Sequence, residues 1–130
     1  MIDLNHITKN EVEKAFVYLR PDGIMQIDLK VIDDLNIDDM KKIFFAVKEI
    51  ARGEKFPSLW VSNSYINIEK ETREFFREKG KLYSIADAFV INSVALRMVA
   101  NFYLKFERPM NPSRLFNTVE DAEKWLKIFQ

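Results

Sequence analysis

The chain has 130 residues, with 20 basic and 20 acidic side chains that leave a formal net charge of zero, and it contains no cysteine. That balance gives no broad basic footprint for nucleic acid, and the missing thiols exclude disulfides, iron–sulfur clusters, thiolate zinc sites and a cysteine nucleophile. The length suits one α/β domain over residues 1–130, and eleven phenylalanines predict a heavily aromatic core, an extra apolar surface, or both.

The first residues, MIDLNHITKNEVEK, lack the basic start and apolar run of a signal peptide. No segment approaches the roughly 18 apolar residues of a membrane span. A cytoplasmic protein without membrane insertion is therefore expected. Residues 1–11 show no clear period and read as a loosely ordered arm or a short edge element, ahead of a domain spanning 12–129. Two β-rich runs, Ala15–Leu19 and Ile24–Lys30, flank Arg20-Pro21-Asp22-Gly23. Proline presets φ and glycine accepts φ > 0, so the pattern predicts a β-hairpin. Met25, Ile27 and Leu29 alternate with Gln26, Asp28 and Lys30, which predicts one wet face.

A helix is expected from about Asp38 to Arg52, capped by Asn36, with Asp38 and Asp39 on its positive end and Gly53 as its stop. A strand follows Pro57 (Ser58–Ser62). The next helix, Glu69–Lys79, offers only Phe75 and Phe76 as strong apolar anchors and reads as the least anchored. Ile85–Ile91 is almost continuously apolar, as a strand covered on both faces should be. Then come a helix apolar nearly all round (SVALRMVANFYLKF), a loop bracketed by Pro109 and Pro112, and a short strand at Leu115-Phe116. The last helix starts at Thr118 and Asp121 and carries Val119, Ala122, Trp125, Leu126 and Phe129 at helical spacing. The order strand, helix, strand, helix is what a parallel sheet with helical crossovers requires. The N-terminal hairpin makes that sheet mixed.

The DGI turn, NIDDMKKIFFAVKEI, the strand after KFP, INSVALRMVANFYLKFERPMNPSRLF and the closing EDAEKWL together resemble the SpoIIAA-like, STAS-related small bacterial proteins. The resemblance runs in order from about Val12 to Phe129 and is most specific in its second half. It implies a mixed sheet of four or five strands with helices packed against it. It also implies a role in protein interaction, because STAS modules that antagonise anti-sigma factors bind partners and do not catalyse. One departure concerns the switch of those antagonists, an Asp-Ser-Ser-Gly-type turn phosphorylated on serine. Here the loop reads SNSYINIEKE, without that aspartate or that glycine. Ser62 and Ser64 lie in the comparable region, but the motif does not carry over.

Chemical candidates are few. His6, the only histidine, has no partner for a usual zinc site or triad and reads as a surface residue. Gly23, Gly53 and Gly80 each have a turn or helix-stop role, which leaves none for a phosphate-cradling loop. The pairs Asp33–Asp34 and Asp38–Asp39 read as capping groups ahead of a metal site. No cofactor is implied. If the later strands run parallel, their carboxyl ends gather Ser62, Asn63, Ser64, Asn92 and Ser93 at one edge, with Arg97 nearby. That edge is either a small-anion or phosphorylation site or a row of ordinary helix caps.

The helix that follows Ser93 gives the sharpest signal. Arg97, Asn101 and Lys105 form one narrow polar stripe, and apolar residues including Met98, Phe102, Tyr103 and Phe106 cover most of the rest. One face packs on the sheet. The remainder is covered by the loop at 107–113 or by another molecule. The sequence therefore predicts a non-enzymatic regulatory or interaction module, acting as a homodimer or with another protein partner through this helix. A small amphipathic or anionic ligand is the alternative.

Overall fold

The structure, a computed structural model, describes residues 8–130. His6 and most of the expected N-terminal arm lie outside the described residues. Six strands form one mixed sheet in sequence order: β1 (Lys9–Val12), β2 (Ala15–Leu19), β3 (Met25–Leu29), β4 (Phe56–Ser62), β5 (Ser84–Ile91) and β6 (Ser113–Phe116). The β1–β2 and β2–β3 pairs are antiparallel, and β3 to β6 are parallel.

The hairpin turns as its sequence predicts. The Gly23 N–H donates to the Arg20 carbonyl at 3.0 Å, and Gly23 sits at φ 81°, where a side chain would be strained. Met25 and Ile27 are buried, whereas Gln26 and Asp28 are half-exposed. The sheet has one strand more than the four or five expected. The extra one is β1, whose KNEV sequence is largely exposed and polar. A solvated edge strand has no buried face to impose an apolar alternation, so its residues read equally as a loose arm or a short edge element, and Lys9–Val12 form the edge element. Likewise β4 starts at Phe56 and not after Pro57, and the pairing with β5 shifts register between Phe56 and Ser58. An irregularity of this kind is where a proline fits within a strand.

Each parallel crossover carries a helix: α1 (Ile37–Ala51), α2 (Lys70–Lys79) and α3 (Val94–Phe102), with α4 (Val119–Leu126) after β6. Every crossover moves one strand along in the same direction, so their common hand places α1, α2 and α3 on one face. The second face is left to α4. Two cores result. Ile27, Ile43, Trp60, Phe76, Ile91 and Leu96 belong to the larger one, and Ile24, Leu59, Ala88, Ala122 and Leu126 to the α4 side. Strand β5, buried on both faces, sends Ala86, Ala88 and Val90 to α4 while Phe89 and Ile91 face α3.

The larger core is aromatic. Phe76 contacts Phe44, Trp60, Phe89 and Tyr103 with ring centroids 5.1–6.0 Å apart. This cluster anchors α2 more firmly than its polar sequence suggests. Asn36 caps α1 through a full capping box with Asp39. The Lys14 Nζ reaches the buried Asp39 carboxylate at 2.7 Å, and this hydrogen bond raises the Lys14 pKa. Lys14 thus ties the first hairpin to the start of α1.

Candidate functional site

Helix α3 is split between two environments. Leu96 packs inward, with Val99 and Ala100 partly buried beside it. Outward, Val94, Met98, Phe102 and Phe106 are 77, 68, 48 and 71% exposed. They stand four residues apart, so they form a continuous ridge on the helix and on the π-helical turn, Tyr103–Glu107, that prolongs it. The Phe102 and Phe106 rings lie 5.3 Å apart. Met110, 51% exposed, adds to the apolar surface in the following loop, and that loop leaves the ridge uncovered. Coverage of the ridge by the loop at 107–113 is thereby excluded.

Tyr103 corrects the sequence reading. Grouped above with Met98, Phe102 and Phe106, it is instead only 6% exposed and packs against Phe76. The reason is geometric: seven residues bring the helix nearly full circle, so Tyr103 shares the inward side of Leu96. Its hydroxyl is buried and has no hydrogen-bond partner. Burial, the largest influence, holds the phenol above its usual pKa range. Beside it, under α3, lies a cavity of about 90 Å³, bounded by Trp60, Phe76, Leu96, Val99, Ala100 and Tyr103 among others.

Arg73 and Arg77 of α2 hold the end of the π-turn. The Arg73 Nε donates to Glu107 at 2.6 Å, and one of its terminal nitrogens donates to the Ile68 carbonyl. The Arg77 Nε reaches the carbonyls of Glu107 and Arg108, each at 2.8 Å. The turn closes with the Arg108 N–H on the Tyr103 carbonyl at 2.8 Å, and Arg108 adopts φ 57°.

The strand-end residues do come together, as the parallel topology predicts, but they satisfy one another. Ser62 is buried, and its hydroxyl donates to the Ser64 carbonyl at 2.8 Å. The Asn92 side-chain amide donates to the Asn63 side-chain oxygen at 2.6 Å. Ser93 is the N-cap of α3 and accepts from the Leu96 N–H. The Arg97 guanidinium donates to the carbonyls of Ile91 and Phe116, at the ends of two parallel strands. These are the bonds of caps and strand ends. The acidic pairs are likewise engaged: Asp39 closes the capping box, and Asp34 faces Lys14 at 3.4 Å. Among the described residues, no three metal-ligating side chains cluster.

Asp87 was missed as a candidate. It sits in the middle of β5, 3% exposed. Trp60 Nε1 and the Ser84 hydroxyl each donate to it at 3.1 Å, and Asn111 Nδ2 donates at 3.2 Å. Desolvation dominates these bonds and pushes its pKa up to about 6. The available signal was an aspartate inside an otherwise apolar buried strand.

No helix among the described residues is long and apolar enough to cross a membrane. No curated protein matches the chain. Among solved structures, the chain is similar to an uncharacterized protein of the DUF3478 family with a SpoIIAA-like fold, from Shewanella loihica PV-4. The TM-score is 0.54 at 13% identity, over 91% of this chain and 90% of that one. At that identity the likeness concerns the fold, and it agrees with the SpoIIAA-like resemblance read from the sequence. The model of a domain of unknown function, DUF7793, matches residues 17–130, and the chain belongs to that family.

Proposed function

We propose that the protein is a non-enzymatic interaction module whose contact surface is the outer ridge of α3, with a second copy of the chain as its first partner. The observation that carries this reading is the row Val94, Met98, Phe102 and Phe106, exposed at four-residue spacing. A row of this kind is one ridge in helix–helix packing, and two such ridges can interdigitate across a two-fold axis. The ridge bears no charge of its own, and the chain has no net charge to oppose self-association. The neighbouring strand-end polar groups hold their own elements together, which supports a binding role over a catalytic one. The SpoIIAA-like fold is compatible with a regulatory module.

Light scattering coupled to gel filtration tests the reading. The wild-type chain of 15.4 kDa should run as a species of twice that mass. Phe102→Glu should run as a monomer with an unchanged circular dichroism spectrum, because the half-exposed ring contributes little to the fold. A wild-type monomer at high micromolar concentration would contradict the proposal.

A further inference from the structure

Strand β1 forms one edge of the sheet, and among the described residues no strand pairs with its outer side. The Leu19 N–H donates to the Thr8 carbonyl at 2.8 Å, in the register that sets Lys9 against Tyr18 and Glu11 against Phe16. Main-chain groups alternate in direction along an antiparallel strand, so Thr8, Asn10 and Val12 turn theirs to β2. The N–H and C=O of Lys9 and Glu11 therefore point away from the sheet. An open edge of this kind is a template for one more strand.

The charges on this edge select the strand. Lys9 and Glu11 share the face of their cross-strand neighbours Tyr18 and Phe16, while Ala15 and Val17 turn to the larger core. An incoming antiparallel strand needs an acid opposite Lys9 and a base opposite Glu11, because like charges directly opposite destabilise a pair. Read in the opposite direction, that complement is basic, any residue, acidic, which is Lys9-Asn10-Glu11 itself. Hydrogen-bond direction agrees. Outward-facing residues must meet outward-facing residues, so the registers that pair these two are Lys9 on Glu11, Lys9 on Lys9, and Glu11 on Glu11. Only the first avoids like charges. It also sets Asn10 against Asn10 on the two-fold axis, where each amide offers a donor and an acceptor. Glu11 already accepts from Lys30 at 2.5 Å, and its carboxylate has capacity for a second cation.

We propose that β1 is a self-recognition edge: it pairs antiparallel with β1 of a second copy, Lys9 opposite Glu11 in both directions, and joins two sheets into one. Each copy contributes a strand of 4 residues, far less than a standard interface, so the contact is a weak one that forms at high protein concentration. It does not rest on the α3 ridge. That ridge belongs to a helix packed by β5 and β6, at the other end of the sheet, so β1 pairing links ridge dimers to one another.

A ¹⁵N NMR concentration series of the full chain, from micromolar to millimolar, tests the proposal. Carrying it out on Phe102→Glu disables the ridge and leaves β1 untouched. The Lys9 and Glu11 amides should shift saturably and exchange more slowly as concentration rises, while exchange at Asn10, already bonded to β2, stays constant. Lys9→Glu sets acid against acid at both ends of the seam and should weaken pairing about 10-fold, and Glu11→Lys should do the same with bases. An equimolar mixture of these two variants brings opposite charges together again and should restore pairing. No concentration dependence at the Lys9 and Glu11 amides, undiminished pairing in either single variant, or no recovery in the mixture would overturn the proposal. If Glu11→Lys, which also loses the Lys30 contact, loosens β1, then Lys9→Glu alone decides, since it leaves that contact and the β2 ladder in place. The readout is at β1 itself, so failure of the ridge and failure of β1 pairing are told apart.

Discussion

Asp87 receives three side-chain hydrogen bonds, yet its pKa rises to about 6 because full burial penalises the carboxylate more than those bonds favour it. A folded-state pKa above the unfolded value means that the native protein holds this proton more tightly. The stability it contributes is complete below about pH 4 and is lost as pH rises through 6. Unfolding by urea should therefore show stability falling by about 2 kcal/mol between pH 4.5 and 7.5 from this group alone. Asp87→Asn should remove that slope, and an unchanged slope would show that Asp87 does not titrate in this window. Tyr103 makes a second prediction. Its hydroxyl has no partner, so Tyr103→Phe should leave the melting temperature of the free protein unchanged or higher. A drop of several degrees would mean that the hydroxyl is satisfied.

Elements differ in how much of them the sequence discloses. Helix α1 was fully legible: Asn36, Asp39 and the stripe through Ile43, Val47 and Ile50 are local signals, and the structure uses each of them. The hairpin was legible for the same reason, through Pro21 and Gly23. Strand β1 was legible only as one of two alternatives, an arm or an edge element, because an exposed edge leaves no apolar period. Helix α2 was read from its own residues, which missed that its aromatic and arginine partners come from α1, β4, β5 and the π-turn. The same distance in sequence hid the Asp87 site, two of whose three donors lie at positions 60 and 111. Two clamps are testable at this scale. Lys14→Met leaves the buried Asp39 carboxylate without its cation and should destabilise the fold by about 1–2 kcal/mol in chemical denaturation. Arg73→Leu should speed amide exchange at Arg108, whose N–H closes the π-turn, while amides of β5 stay protected.

For the whole molecule, one topological fact organises the candidate surface on α3. Sequential strand order with crossovers of one hand stacks α1, α2 and α3 on the same face of the sheet. Helix α3, the last of the three, keeps its inner side over the cavity and presents its outer ridge to the surroundings. The sequence disclosed the excess of apolar residues on this helix. Dividing them into an outward ridge and an inward Tyr103 required the packed structure, though the seven-residue spacing from Leu96 pointed that way. The most direct test of the ridge as an interface is an isotope-filtered NOE spectrum of mixed ¹³C-labelled and unlabelled chains. Contacts from the Met98 methyl of one copy to the Phe102 and Phe106 ring protons of another are expected. A spectrum with no intermolecular contacts at high micromolar concentration, or with contacts from another surface only, would contradict the assignment of α3 as the interaction face.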